Sequence, residues 1–441
     1  MKRCEFGYFL LLVMLFIGVV GCEKDDPITE EQERGKAGCF VDVIECYFLT
    51  GDEVIDELCD GIGMRIDPDI VETVRTLILK PTVKKDVVVT KIEYLTEAPD
   101  GRLVTASGTI VYSADVERTG QYDRLVSVQP VTNDIDYAPS SRKFYLELSM
   151  VFKEDSEDIV ILSDYLGYGS SQTPDLQTAY MHAGCTGSGC ADMLKAAESY
   201  LKFQKGMKQA GSTPIVLCGY SQGAQATIAT LYELQNRGYT DRIADVRAGS
   251  GPYDLNAFMD MFRNLDGREY VMTGFIPYMI RGIMYGEQLE LDLHKLLAPE
   301  VFLPDGQGKA KADLFPSTML STWHELLGSD VTKVLHPDFF RDESEWNEEL
   351  ISFLAAVDRN SVINSGTPAH PEIITLYHER NDDMVPYEGA VRASEKWGCP
   401  LIELEIADDN HAIGVVEFFL RYISEKRWNA ISSLLKLLPN Q

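Results

Sequence analysis

The sequence is short of positive charge. Against 69 Asp and Glu there are 40 Lys and Arg, giving a formal net charge of −29. Such a surface repels a phosphate backbone and an anionic bilayer, so nucleic acid is excluded as a partner and electrostatic membrane binding with it. A strongly anionic substrate is disfavoured for the same reason. Neither a CxxC repeat nor an HxxxH spacing occurs, so the common zinc-site patterns are missing and no metal or other cofactor is expected. Internal repeats and low-complexity tracts are also lacking. No apolar run reaches the roughly 20 residues that a membrane-spanning helix needs.

What is present has an ordinary globular balance, 45% apolar and 25% charged over 441 residues, enough for one large domain or two modest ones. Residues 1–22 stand apart. Lys2 and Arg3 precede an apolar stretch, 6–20, that ends at Gly21-Cys22, the length and shape of a signal-peptide core. Val19-Val20-Gly21-Cys22 resembles a bacterial lipobox, which implies lipidation of Cys22. The charged stretch 23–37 reads as a flexible tether. Its Lys24-Asp25-Asp26 resembles the acidic signal that directs some lipoproteins to the outer membrane of Gram-negative bacteria. The expectation is an exported protein on the periplasmic or surface face, touching membrane only through its lipid anchor.

Export implies an oxidising compartment. Apart from Cys4 and Cys22, seven cysteines remain, an odd number that leaves at least one unpaired. Cys185 and Cys190 flank Thr-Gly-Ser-Gly and could close a small disulfide ring. Cys39, Cys46 and Cys59 could supply a second bridge.

From residue 86 the chain reads as eight predicted strands: 87–95, 102–113, 125–129, 159–163, 215–218, 246–249, 373–377 and 401–405. The first two form a hairpin around Pro99-Asp100-Gly101. The later runs are short and continuously apolar, as in strands buried on both faces. Helical spacing fills the gaps at 141–152, 192–205 and 222–237, and again from 412 to 438. Such alternation specifies an α/β fold, a mostly parallel sheet with helices on both faces. The gap 255–371 is too long for a crossover and reads as a helical cap inserted after the sixth strand. The core is then 86–254 with 372–441, preceded by a helical segment at 38–85.

Residues 216–225 read Val-Leu-Cys-Gly-Tyr-Ser-Gln-Gly-Ala-Gln. Gly219-x-Ser221-x-Gly223 between a strand and a helix is the frame of a nucleophile elbow, in which glycines on both sides let a serine occupy a sharp turn. That context requires an acid and then a histidine downstream. His411 is the one histidine beyond the last predicted strand. After the seventh predicted strand, Asp382 and Asp383 stand together, with Asp382 favoured by its spacing to Val385-Pro386 and Asp254 a poorer position. Asp408 and Asp409 read as exposed turn residues. The backbone N–H of Gln222 supplies one oxyanion donor. The second should come from the loop after the third predicted strand, where Pro130 has no N–H and Val131 or Thr132 must serve.

Five segments in order, KIEYLTEAPDGRLVTASGTIVY, SDYLGYGSS, GYSQGA, AGSGPYDL and LYHERNDDMVPY, resemble the secreted bacterial α/β-hydrolases of the lipase/esterase type, related to the secretory lipases. The resemblance runs from about Lys91 to near the C-terminus. It implies the α/β-hydrolase fold, a triad of Ser221, Asp382 and His411, and no cofactor. Many relatives carry Gln-His-Gly-Thr where this chain has Gln129-Pro130-Val131-Thr132, and matching by position puts the second oxyanion donor at Thr132. The implied activity is hydrolysis of a small-molecule, lipid or glycan ester through an acyl-enzyme. A serine peptidase with the same triad and an inactive surface-binding lipoprotein are the alternatives.

Overall fold

The computed structural model describes residues 35–63, 68–133, 138–265, 269–303, 320–405 and 410–435. The expected signal peptide, Cys22, most of the tether and Asp408 with Asp409 lie outside the described residues.

The chain enters through β1 (Phe40–Leu49), α1 (Gly51–Gly63) and α2 (Pro68–Val74), the last continued by a π turn and a short helical turn to Thr82. β2 (Val87–Glu97) and β3 (Leu103–Ser113) follow as a hairpin. Its turn closes with Ala98 N–H donating to Arg102 O at 2.9 Å. Gly101 sits there at φ 80°, a region glycine enters without steric cost. Next come α3 (Ala114–Thr119), β4 (Arg124–Gln129), β5 (Asp158–Ser163), α4 (Ala183–Ser199), β6 (Ile215–Tyr220), α5 (Gln222–Asn236) and β7 (Ile243–Gly249). The inserted region holds α6 (Leu255–Asn264), α7 (Phe275–Gly286), α8 (Leu320–Leu327) and α9 (Glu348–Asn360), linked by short 3-10 turns. β8 (Ile374–Glu379), α10 (Tyr387–Trp397), β9 (Leu401–Leu404), α11 (His411–Ile423) and α12 (Trp428–Leu435) complete the chain.

The strands form one sheet in the order β1-β2-β3-β5-β4-β6-β7-β8-β9. β4 through β9 run parallel, while β1, β2 and β3 extend the sheet antiparallel beyond β5. Every residue of β5 and β6 is buried. Successive side chains point to opposite faces. Ile159, Ile161, Ile215 and Leu217 therefore enter one core with α4, α5 and α10, and Val160, Leu162, Val216 and Cys218 enter the other with α1 and α11. This two-faced burial is what the continuously apolar runs signalled. β4 lies between β5 and β6, so successive connections leave it in opposite directions and open a crevice at the carboxyl ends of these strands.

Four expectations need correction. The sheet has nine strands among the described residues, because 40–49 is a strand and not part of a helical segment. Two register shifts, at Phe40/Asp42 and Val43/Glu45, break the simple alternation that would have announced it. Residues 141–152 form no α-helix but two 3-10 segments, Pro139–Ser141 and Leu146–Phe152. Glu147 to Phe152 is buried without interruption, so its apolar spacing reflects enclosure on all sides, not one helix face. The next helix begins at Ala183, not near 192. Its glycines serve close packing: a Cβ on Gly187 would lie 2.7 Å from Ala229 O of α5.

That early start also removes the expected disulfide ring. Cys185 and Cys190 both lie on α4, five residues apart and so on diverging sides of the helix. They are free, as are Cys39, Cys46 and Cys59. Burial pushes the thiols of Cys185 and Cys190 up to about 12, which keeps them protonated and poorly nucleophilic. No helix among the described residues is long and apolar enough to cross a membrane.

Candidate active site

Ser221 follows the last residue of β6 and immediately precedes α5, with φ 57° and ψ −124°. A non-glycine residue there carries backbone strain of about 1–3 kcal/mol, and the surroundings hold it. Ser221 N–H donates to Gly249 O at 2.8 Å, extending the β6–β7 ladder into the turn. A Cβ on Gly219 would come within 2.2 Å of Gly223 O, and one on Gly223 within 2.2 Å of Gln129 O. Only glycine at both positions lets strand, turn and helix approach so closely. The sharp turn aims the serine side chain out of the sheet end.

His411 is the first residue of α11, whose N-cap Asn410 accepts from Ile413 N–H. Its Nε2 lies 2.8 Å from Ser221 Oγ and its Nδ1 2.7 Å from Asp382 Oδ2. Because a carboxylate only accepts, Nδ1 carries the proton, leaving Nε2 with the lone pair that receives the serine hydroxyl. The Asp382 side chain is fully buried. Its other oxygen accepts from Met384 N–H at 2.9 Å and Val385 N–H at 2.7 Å, so the loop itself orients the carboxylate.

Burial alone would lower the basicity of His411, but the Asp382 carboxylate and its hydrogen bond, with Asp383 adding to them, raise it above the ordinary value of 6.5. Burial would raise the Asp382 carboxyl, but His411 and His378 hold it far below the usual carboxylate range. The pair is thus an ionised acid beside a histidine ready to take a proton.

The other candidates are placed elsewhere. Asp383 accepts from His411 N–H at 3.0 Å and so fixes the start of α11, not the ring. Asp254 caps α6 and pairs with Arg392 at 2.9 Å. Gln222 is buried at the first position of α5, where a backbone N–H has no intrahelical acceptor. In the 129–132 loop, Val131 N–H donates to Glu147 at 3.0 Å, which commits it and leaves Thr132 of the two candidates. Tyr165 donates to Pro130 O at 2.7 Å, and the Thr132 hydroxyl meets Tyr180 at 3.1 Å. These ties hold the proline-containing loop against the elbow.

Three contributors escaped sequence reading. His378 is buried beneath Asp382, with Nε2 at 3.1 Å from Val385 O and 3.3 Å from Asp382 Oδ2. Glu379 is buried at the end of β8, with one carboxyl oxygen 2.6 Å from the Tyr220 hydroxyl. Tyr220 reaches the carbonyl of His411 at 2.8 Å. A glutamate ending a strand that is buried except at Thr375 was the one available signal. His378, Glu379 and Asp382 bring ligand atoms within 4.8 Å of one another, but the oxygens of Glu379 and Asp382 are already engaged by hydroxyls, backbone amides and His411.

Ser221 and His411 line a cavity whose empty space, counted together with the open solvent at its mouth, is about 450 Å³. Its walls come from α6 and α7 of the inserted region and from the loop after β8, including Phe258, Phe262, Met279 and Val385. Tyr180, Tyr270 and Phe275 complete an apolar lining in which, among the described residues, His411 alone can carry charge near neutral pH.

The fold recurs in known structures. The rice cell wall degrading esterase LipA from Xanthomonas oryzae superposes with a TM-score of 0.65 at 20% identity, covering 88% of this chain and 97% of LipA. Lipase A from Candida antarctica in its closed state gives a TM-score of 0.56 at 13% identity, covering 92% of this chain and 85% of the lipase. No curated protein sequence matches the chain. The family model for secretory lipases matches residues 155–428, more than half of the chain, from just before β5 to the start of α12. An α/β-hydrolase sheet, an elbow serine facing an apolar cavity and this match together lead to one assignment: the chain is a carboxylic ester hydrolase and belongs to the secretory lipase family.

Proposed function

We propose that Ser221, His411 and Asp382 form the catalytic triad of an esterase acting on neutral carboxylic esters with an apolar acyl group. The observation that carries this reading is the unbroken hydrogen-bonded chain from buried Asp382 through His411 to Ser221 at the mouth of an apolar cavity. In the mechanism, His411 Nε2 removes the hydroxyl proton as Ser221 Oγ attacks the ester carbonyl. Asp382 stabilises the imidazolium and keeps its orientation. The oxyanion rests between the backbone N–H groups of Gln222 and Thr132. His411 then returns the proton to the leaving alcohol. Water, activated by the same histidine, releases the acid from the acyl-enzyme.

The cavity supports the substrate class. Aromatic and methionine side chains reward an apolar chain and offer no partner to a charged acyl group. A lipid or glycan ester satisfies this, with the alcohol directed away from the pocket. We also propose that the enzyme is exported and held by a lipid on Cys22 at the Gram-negative outer membrane, supported by the basic start, the apolar stretch and Val19-Val20-Gly21-Cys22.

A fluorophosphonate probe should label the wild type and leave Ser221→Ala unlabelled. Labelling that persists in the variant would remove Ser221 from the mechanism. A panel of p-nitrophenyl esters of rising chain length, run beside peptide amides, should show turnover of esters alone. Amide turnover without ester turnover would overturn the esterase reading in favour of a peptidase. Metabolic labelling with a fatty acid should mark the full chain and not Cys22→Ser.

A further inference from the structure

Glu379 ends β8 and is not among the residues that line the cavity, and its surroundings pose a question of proton counting. One carboxyl oxygen lies 2.6 Å from the Tyr220 hydroxyl, and the other touches the Ser250 hydroxyl. The Tyr220 hydroxyl also lies 2.8 Å from the carbonyl oxygen of His411. A phenol has one proton and a carbonyl oxygen can only accept. With Glu379 ionised, the tyrosine proton would face two acceptors. One of the two short contacts would then set lone pair against lone pair. With Glu379 protonated, the chain closes. Glu379 donates to Tyr220, Tyr220 donates to the His411 carbonyl, and Ser250 donates to the second carboxyl oxygen.

We propose that Glu379 is held as a neutral carboxylic acid and, through Tyr220, acts as the positioning residue that fixes the backbone of His411. The inference rests on the triad reading of Ser221, His411 and Asp382.

The groups facing Glu379 agree with this state. Tyr220 comes from the end of β6, Ser250 from just after β7, Asp382 from its own loop, and His411 and Gly414 from α11. Among the described residues, neither Lys nor Arg is a partner of Glu379. Burial pushes the carboxyl up and the Asp382 carboxylate pushes the same way, while His411 and the two hydroxyls pull back without reversing it. The backbone of α11 seals the site, since a Cβ on Gly414 would stand 1.4 Å from the Glu379 oxygen. Two carboxyls so close to one imidazole divide the roles. Asp382 is ionised and stabilises the imidazolium, and Glu379 is neutral and can donate a hydrogen bond.

The test needs a readout besides turnover. In the full-length enzyme carrying carboxyl-¹³C glutamate, one resonance absent from Glu379→Gln should hold its protonated position from about pH 5 to pH 9, where ordinary glutamates are ionised. Kinetically, Glu379→Leu should lower kcat about tenfold or more with KM little changed, because His411 loses its anchor. Glu379→Gln should rescue kcat, since its amide donates where the acid donates, and should leave the acid limb of the kcat/KM profile in place. A resonance at the carboxylate position would overturn the proposal. So would an acid limb moved about one unit downward in Glu379→Gln, the mark of a removed negative charge. If Glu379→Leu does not fold, the resonance and the Gln variant still decide. Fluorophosphonate labelling of Ser221→Ala would sink the triad and leave the resonance untouched, so the two failures are distinct.

Discussion

At the carboxyl ends of β6 and β8 the backbone is packed with no room for an added side chain. Gly219, Gly223 and Gly414 each sit where a single added carbon would come within 2.2 Å of a neighbouring atom. Buried carboxyls and hydroxyls then fix the remaining freedom. Gly282 and Gly286 of α7 meet Tyr180 and His182 as closely where the cap abuts the rest of the chain, but the interior of the cap is assembled differently. Its core is side chain on side chain, with Phe262, Met279, Ile283, Trp323, Leu335 and Phe353 packed among short helices and 3-10 turns. Backbone contacts and directed polar bonds set distances to fractions of an ångström, as proton transfer demands. Apolar packing tolerates exchange of one side chain for another of similar volume. On the proposed function the two regions divide the work, with the reaction set by the sheet end and the preferred acyl group by the cap.

The sharpest break on the sheet side is Ser221→Ala. It should lower kcat by roughly 10⁵–10⁶ while leaving the melting temperature unchanged, because only the attacking oxygen is lost. Asp382→Asn comes next, at about 10⁴ in kcat, and it separates orientation from charge. In the wild type His411 titrates above 6.5, so kcat/KM should fall as pH drops through a midpoint above that value. Without the carboxylate, the burial that opposes protonation dominates, and the midpoint of the residual activity should move below 6.5. A limb that stays put would mean another group governs it.

Gly414→Ala tests whether close backbone approach is what holds the geometry. The new carbon would meet the Glu379 oxygen at 1.4 Å, so α11 must shift and carry His411 with it. We expect about 1–3 kcal/mol of destabilisation in a denaturant titration and a loss in kcat of about a hundredfold. Full activity in this variant would show that α11 can give way without cost, contrary to the contrast drawn above.

The same contrast explains what could be read from the sequence. The elbow was legible because its turn excludes every side chain but the serine, leaving Gly219 and Gly223 as a visible trace. His411 and Asp382, the proposed base and acid, could be picked out because they follow the last two strands of the sheet. Glu379, Tyr220 and His378 left no such trace, since a buried polar side chain is recognisable only once its partners, distant in sequence, are known. β1 was missed because its register shifts hide the two-residue period. The start of α4 was missed because glycine signals a loop when its reason for being there, Gly187 against Ala229, lies on another helix. Cap and substrate pocket were legible only as an insertion too long for a crossover, because apolar packing constrains the volume of its residues and not their order.

The mildest change belongs to the cap and probes that last point. Met279 lies on α7 and lines the cavity beside Phe275 and Ile276, with its side chain buried. Truncating it to alanine removes methylene and thioether groups from the wall without touching Ser221, His411 or the loop after β8. If the cap sets acyl preference by volume, the added space should favour longer chains. A methylene in an apolar pocket is worth about 1–3 kcal/mol of discrimination, so the ratio of kcat/KM between a long and a short p-nitrophenyl ester should rise about tenfold. The acid limb should stay where it is, since no charged group has moved. A Met279→Ala enzyme that slowed equally on every ester, or whose acid limb shifted, would show that the cap acts on the chemistry as well as on the chain. The division between the two regions would then fail.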